Sequence, residues 1–145
     1  MAFRFSLAAV LNLRKSIERQ EYLNLERIHQ EIAKVQTQLA EAEQQKFGIQ
    51  QSRDVQLTES MPSVFLQNLY EQVYALEKHM ESLNALLVEL AKKKDRQIKV
   101  YTEARQKREV LESLREKQHA AYVLEDNKRQ QTLMDDLYLA RLKRK

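Results

Sequence analysis

Histidine is the side chain with the broadest chemical use near neutral pH, and this chain has three, His29, His79 and His119. They stand about 40 to 50 residues apart, and none has a second histidine or a carboxylate at the i, i+4 spacing by which one helical face holds a metal ion. Solvent-facing or seam-edge histidine is therefore the reading taken for all three. Cysteine is absent, which removes thiolate ligands, disulfides and a sulfur nucleophile. Gly48 is the sole glycine, whereas a phosphate-cradling loop needs several so that backbone N–H groups can converge. Asp and Glu are plentiful, but on a helix they serve as i, i+4 ion-pair partners, as Glu103 does for Lys107, rather than as acids and bases. No catalytic residue, metal ligand or cofactor is expected.

What remains is chemistry of recognition. Lys92, Lys93, Lys94, Arg96, Lys99, Arg105, Lys107 and Arg108 face only Asp95 and Glu103, and Lys92, Arg96 and Lys99 share one helical face. Three readings of this stripe stand in descending order: a solvated face, a site for an acidic protein, a site for nucleic acid. Tyr101 is the only aromatic among these cations, so the stacking platform of a nucleic-acid binder is missing. Around the only proline, Phe47, Ile49, Val64, Phe65, Leu66, Tyr70 and Tyr74 form a second cluster. It reads equally as a local cap or as an exposed partner patch with aromatic anchors. Charge separates the regions: Glu41 to Glu81 carries Lys46, Arg53 and Lys78 against seven acidic residues, net −4, in a chain whose total is +4. Two regions of opposite charge suit two different partners.

The elements that must position these groups follow from composition. One glycine and one proline in 145 residues leave little material for chain reversals. Ala, Glu, Lys, Leu and Arg supply 75 of the positions, the bias of long helices. Mean hydropathy is −0.67 with 32% charged residues, enough apolar surface for a narrow seam and too little for a thick core. Leu25, Ile28, Ile32, Val35, Leu39 and Ala42 alternate by three and four, and so do Leu69, Val73, Leu76, Met80, Leu83, Leu87 and Leu90. Beyond Leu90 the apolar positions Ile98, Tyr101, Leu111, Leu114, Ala121 and Leu124 slip in phase.

Two seams in one chain predict an all-α fold, a long antiparallel coiled-coil hairpin in one domain. Helix 1 is expected over about 5–57, a turn over about 58–62, helix 2 over about 63–140, and a disordered basic tail over 141–145. Pro62 suits the helix start, with Ser63 or Ser60 as cap, and Gly48 bends or frays the first helix earlier. Reversal near residue 60 pairs position i with about 120 minus i, so helices of roughly 80 and 115 Å leave the second overhanging and the hairpin elongated. No run reaches the ~20 apolar residues of a membrane span, and the stretch from Leu7 to Leu11 is short for a signal core. The expected location is the cytoplasm, peripheral to the membrane at most.

Both ends of the chain carry more specific wording. Phe3, Arg4, Phe5, Leu7, Val10, Leu11, Asn12, Leu13 and Arg14, followed by Glu18, resemble the opening of the flagellar export protein FliJ family. Tyr101, Ala104, the run Arg108 to Glu112, Leu114, Arg115 and Gln118, then Tyr122, Glu125 and Arg129, resemble its long second helix. The stretch Gln130 to Asp136 departs from that family's usual Glu-Gln-Lys-x-Leu-Asp-Glu. The resemblance implies a non-enzymatic stalk and adaptor of the flagellar type III export apparatus. Its partners would be a hexameric export ATPase, whose ring the two termini enter, the cytoplasmic domain of a membrane export gate, and export chaperones. It implies ring contacts at Arg4, Phe5, Leu7, Val10, Arg14, Arg108, Arg115 and Arg129. Gate contacts would lie at Gln38, Gln45, Ile49, Leu76, His79 and Leu83, with Tyr70 and Tyr74 as further tip anchors; Leu76 and Leu83 are also seam positions. A virulence-type secretion stalk and a scaffold or nucleic-acid-binding coiled coil are the alternatives.

Overall fold

The computed structural model describes residues 2–56 and 62–144. Two helices account for nearly all of them: α1, Ala8–Gln56, and α2, Ser63–Arg144. The fold is an all-α coiled-coil hairpin. Gly48 lies inside α1 without ending it, since one glycine costs about 1 kcal/mol against a helix of this length. The turn expected at Thr58 to Met61 lies outside the described residues. Pro62 precedes α2, and its carbonyl accepts the first helical bonds from Phe65 and Leu66 at 3.1 and 3.4 Å. That puts Pro62 at the cap and Ser63 in the helix, one residue earlier than the capping expected of Ser63. At the other end α2 continues through the expected basic tail to Arg144.

Contacts group the chain into two units, Tyr22–Val100 and Met1–Glu21 with Tyr101–Lys145. In the first, the apolar seam is as its spacing predicts. Val35, Leu83 and Leu90 are buried together, with Ile32, Leu39 and Leu87 packed against them. Ile28, Ala42 and Val73 are buried as well, and Leu25, Leu69, Leu76 and Met80 half-buried. Each such side chain contributes roughly 1.5 to 3 kcal/mol of transfer free energy on burial. Lys46 meets Glu77 at 3.2 Å, a few residues beyond the partner that reversal at residue 60 gives. The pairing axis therefore falls near Pro62.

Past Leu90 the structure corrects the expectation of a slipping phase. Lys94, Gln97, Tyr101, Ala104, Arg108 and Leu111 follow at unbroken steps of three and four, each buried or half-buried, while Ile98, Ala121 and Leu124 are exposed. On α1 the same steps lead back from Leu25 through Glu21, Glu18 and Arg14 to Leu11, which is only 2% exposed. The heptad persists; its occupants become polar.

In the second unit those polar occupants bond one another. Arg108 donates from Nε and Nη2 to the two carboxylate oxygens of Glu18, and from Nη1 to Glu112 at 2.6 Å. Lys15 approaches the other Glu112 oxygen at 3.7 Å. This fork crosses between the helices, with Arg108 and Glu18 side chains 20% and 17% exposed. The bond to Glu18 chiefly raises the Arg108 pKa above its ordinary value, burial opposes it, and Glu112 adds to it. Arg108 therefore stays charged throughout the accessible pH range. In the same unit Phe5 and Leu11 are buried and the Phe5 carbonyl accepts from the Ala8 N–H, closing the turn into α1. The Phe3 ring packs edge-on to His119 at 5.1 Å and against Tyr122 at 5.6 Å.

Two outcomes follow for stability. Leu83→Ala is expected to cost about 2 to 4 kcal/mol in urea unfolding, whereas Leu86→Ala, at a 45% exposed position, changes stability by about 0.5 kcal/mol or less. Glu18→Leu alone leaves the Arg108 guanidinium at the seam with Glu112 as its remaining partner and is expected to cost about 1 kcal/mol, and Arg108→Leu, which leaves Glu18 unpaired, about as much. The double variant, which completes an apolar seam, should unfold at least as late as the natural chain; a double variant that unfolds earlier would show that the fork is net stabilising relative to an apolar pair.

Candidate functional site

Because two helices share one seam, any surface for a partner lies on what the seam leaves out. In the unit Tyr22–Val100, the residues near Pro62 are rich in such surplus. Phe47, Val55, Val64, Phe65, Tyr70 and Tyr74 are all exposed. Ser63, Leu66, Gln67, Tyr70, Glu71 and Tyr74 line a shallow, mostly apolar groove on α2. The tyrosine rings are fixed by cations: the Arg53 guanidinium carbon stands 5.4 Å from the Tyr70 centroid, and Lys78 Nζ 5.4 Å from that of Tyr74. Lys78 also reaches Glu81 at 3.4 Å. The helix spacing i, i+4 puts both rings on one side, oriented and accessible, the arrangement of a pair of aromatic anchors.

The other residues expected here divide by depth. Gln38, Gln45 and His79 are exposed and Ile49 is half-buried. Leu76 is half-buried and Leu83 buried in the seam core, so the side chains that both readings claimed are occupied by packing between the helices. Of the basic stripe in this unit, Lys92, Lys93, Arg96 and Lys99 are exposed, and Lys94 takes a seam position. Lys92 lies 3.6 Å from Glu89.

In the unit formed by Met1–Glu21 and Tyr101–Lys145, the expected ring contacts also separate. Arg4, Leu7, Val10, Arg115 and Arg129 are exposed. Arg4 and Arg115 flank one groove with Phe3, Phe5, Leu11 and Asn12. A second, more apolar groove is lined by Val10, Arg14, Gln106, Val110 and Leu111, with Glu103 and Lys107 at its edge. Arg129 is 3.9 Å from Glu125 and Arg105 2.8 Å from Glu109, both i, i+4 pairs on solvent-facing helix. Phe5 is buried and the Arg108 guanidinium is engaged with Glu18 and Glu112, so neither presents its chemistry to solvent. Reading apolar spacing alone missed Leu11, Ala104 and the Glu18–Arg108 fork. Extending the three-four steps through polar residues would have found all of them.

No helix among the described residues is long and apolar enough to cross a membrane, and no group of His, Asp or Glu among them is arranged to hold a metal ion. Searches of curated proteins and of solved structures give no match. The model of the family described as flagellar FliJ protein matches residues 3–145, which contain both helices and both surfaces. The chain belongs to the flagellar FliJ protein family.

Proposed function

We propose that this chain is a non-enzymatic stalk and adaptor of the flagellar type III protein export apparatus. Family membership supports a role in flagellar export in general. The finer reading assigns the end of the hairpin that carries both termini to the ring of the export ATPase, and the end near Pro62 to the export gate and the chaperones. The observation that carries it is the match over residues 3–145 on a hairpin whose two exposed surfaces differ in chemistry. One has cationic grooves around Arg4, Arg14 and Arg115; the other has tyrosines in a net acidic stretch. The match is to a flagellar family, and no feature of the chain favours the virulence-type alternative over it. Nucleic acid is disfavoured because Arg105 and Arg108, within the basic stripe, are ion-paired on the chain itself.

A stalk that stimulates a ring must touch several subunits without docking permanently on one. Screened charge contacts serve that purpose better than a large apolar interface. Arg14 is half-buried, and Arg4, Arg115 and Arg129 are exposed for such contacts, with Leu7 and Val10 as apolar neighbours. Reversing Arg115→Glu and Arg129→Glu together is expected to lower stimulation of the ATPase while leaving helicity unchanged by circular dichroism. Stimulation by the natural chain should fall as salt rises from about 50 to about 300 mM. Full stimulation by the double variant, indifferent to salt, would remove the physical basis of the ring contact.

For the other end, Tyr70→Ala with Tyr74→Ala should leave helicity and ATPase stimulation intact and weaken export in cells. The rings are exposed, so their loss removes contact area for a partner rather than packing within the hairpin. A pronounced drop in melting temperature for this pair would mean instead that the tyrosines close the turn region as a local cap.

A further inference from the structure

A seam divides the surface of a hairpin into two flanks, and in the unit Tyr22–Val100 the two differ in charge. With the seam residues as heptad positions a and d, positions e and b lie beside a, and positions g and c beside d. Lys46 and Arg53, at a positions of α1, reach Glu77 and Tyr70, both at e positions of α2. The e and b residues of both helices therefore border one face. Glu26, Glu43, Asp54, Glu77, Glu81 and Asp95 occupy that face, and no lysine or arginine does. The opposite flank is mixed, with Arg27, Lys34, Lys93 and Arg96 against Glu31, Glu41 and Glu89. Lys46, Arg53 and Lys78, from neighbouring positions, answer Glu77, Asp54 and Glu81, whereas Glu43 and Asp95 make no ion pair among the described residues. The face keeps a negative surplus.

The same face carries apolar groups along its length. Phe47, Tyr70 and Tyr74 are exposed toward Pro62, Tyr22 and Ile98 at the other end of the unit, and Val88 between them. Ala33, Ala40 and Ala91 are exposed in the middle. Short side chains there leave the groove between the two helices open, so that a third helix can approach both closely. From Phe47 back to Tyr22 the face runs about 37 Å, the length of a helix of about 25 residues. Charge selects among occupants. Anionic lipid and nucleic acid are repelled by the carboxylates, and a second copy laid face to face would set them against themselves.

We infer that this face is a docking surface for a helix of another protein, one whose apolar stripe is flanked by lysine and arginine. The helix seats on Ala33, Ala40, Val88 and Ala91, with Tyr70 and Tyr74 anchoring one end. The inference deepens the adaptor reading and rests on it in taking the two tyrosines as partner anchors. It also separates this partner from the gate: Gln38, Gln45 and His79 occupy g positions, and Ile49, Leu76 and Leu83 d positions, all toward the opposite flank. The test needs only the purified full chain and peptides, so its failure would leave the ring contact of the stalk reading standing.

The chain contains no cysteine, so one introduced residue can carry a nitroxide. Gln36→Cys and Asn84→Cys, at e positions between the alanines, report the acidic face, and Gln38→Cys and Ser82→Cys the other; all four sites are exposed. Two helical peptides of about 25 residues serve as probes, alike in a leucine stripe and flanked either by lysine and arginine or by glutamate. At about 150 mM salt the cationic peptide alone is expected to immobilise the labels at 36 and 84, leaving those at 38 and 82 unchanged. On the unlabelled chain, Glu43→Lys with Asp95→Lys should weaken its binding about tenfold at unchanged helicity, and Lys93→Glu with Arg96→Glu should not weaken it. Immobilisation at 38 and 82 instead, or equally at all four sites, would overturn the inference. So would equal binding of the glutamate peptide, no binding of either, or an affinity indifferent to the reversal of Glu43 and Asp95.

Discussion

A hairpin of two helices has a single seam, and within the helices a side chain is buried only if it falls on it. The three-four alternation that buries Ile28, Val35 and Ala42 on α1 and Val73, Leu83 and Leu90 on α2, with Val35, Leu83 and Leu90 packed together, is the constraint from which the other features follow. A helix cannot change phase without leaving its seam, so once these residues fix the phase, every residue further along at the same steps is committed to the seam whatever its type. Glu18 and Arg108 are half-buried for that reason. The remaining residues of both helices are committed to solvent in the same way, including tyrosines, valines and leucines that a thicker fold would have enclosed.

Charged seam positions exchange stability for definition. A carboxylate and a guanidinium at less than a quarter exposure lose hydration that a leucine pair would not need, and their mutual attraction returns part of it. The fork favours one register, because sliding α1 past α2 by a heptad would carry Glu18 from Arg108 to Tyr101 or Arg115 and leave Arg108 facing Leu11 or Leu25 instead of a carboxylate on α1. Lys15 and Glu112 extend the same selection, since each is held by a partner on the other helix. Apolar residues alone are permissive about register; Leu opposite Leu is acceptable at many offsets. A polar stretch within the seam is thus an economical means of fixing which residues of α1 lie beside which residues of α2.

The fold was legible where the seam is apolar. Leu25 to Ala42 and Leu69 to Leu90 announce a coiled coil by spacing alone, and the shortage of glycine and proline leaves no competing architecture. The polar seam was not legible, because hydrophobic periodicity treats Glu18, Lys94 and Arg108 as interruptions although the backbone treats them as ordinary heptad positions. The residues around Pro62 were half legible. Counting apolar side chains showed more than a seam can take, while spacing could not say that Tyr70 and Tyr74 would be held open under Arg53 and Lys78. Leu83 was claimed both by the seam spacing and by the resemblance, and its burial follows the spacing.

Function is written in the positions that the seam does not use, which is why periodicity gave the architecture and left the partners to the resemblance at both termini. Any two amphipathic helices of this length pair for the same reasons, whatever they serve. What distinguishes this chain is the sorting of its surplus: oriented aromatic rings in a stretch of net −4, and exposed arginines in the remainder, where the net charge is +8. Opposite surfaces of this kind cannot both suit one ligand, since the charge that attracts a partner to one repels it from the other. A partner bound at either surface would depend on charge that salt screens and on a few anchors, which favours contacts that form and release quickly. An assembly that must pass cargo repeatedly through the same apparatus has use for contacts of that kind at both surfaces, and a thick hydrophobic interface at either would hold its partner too long.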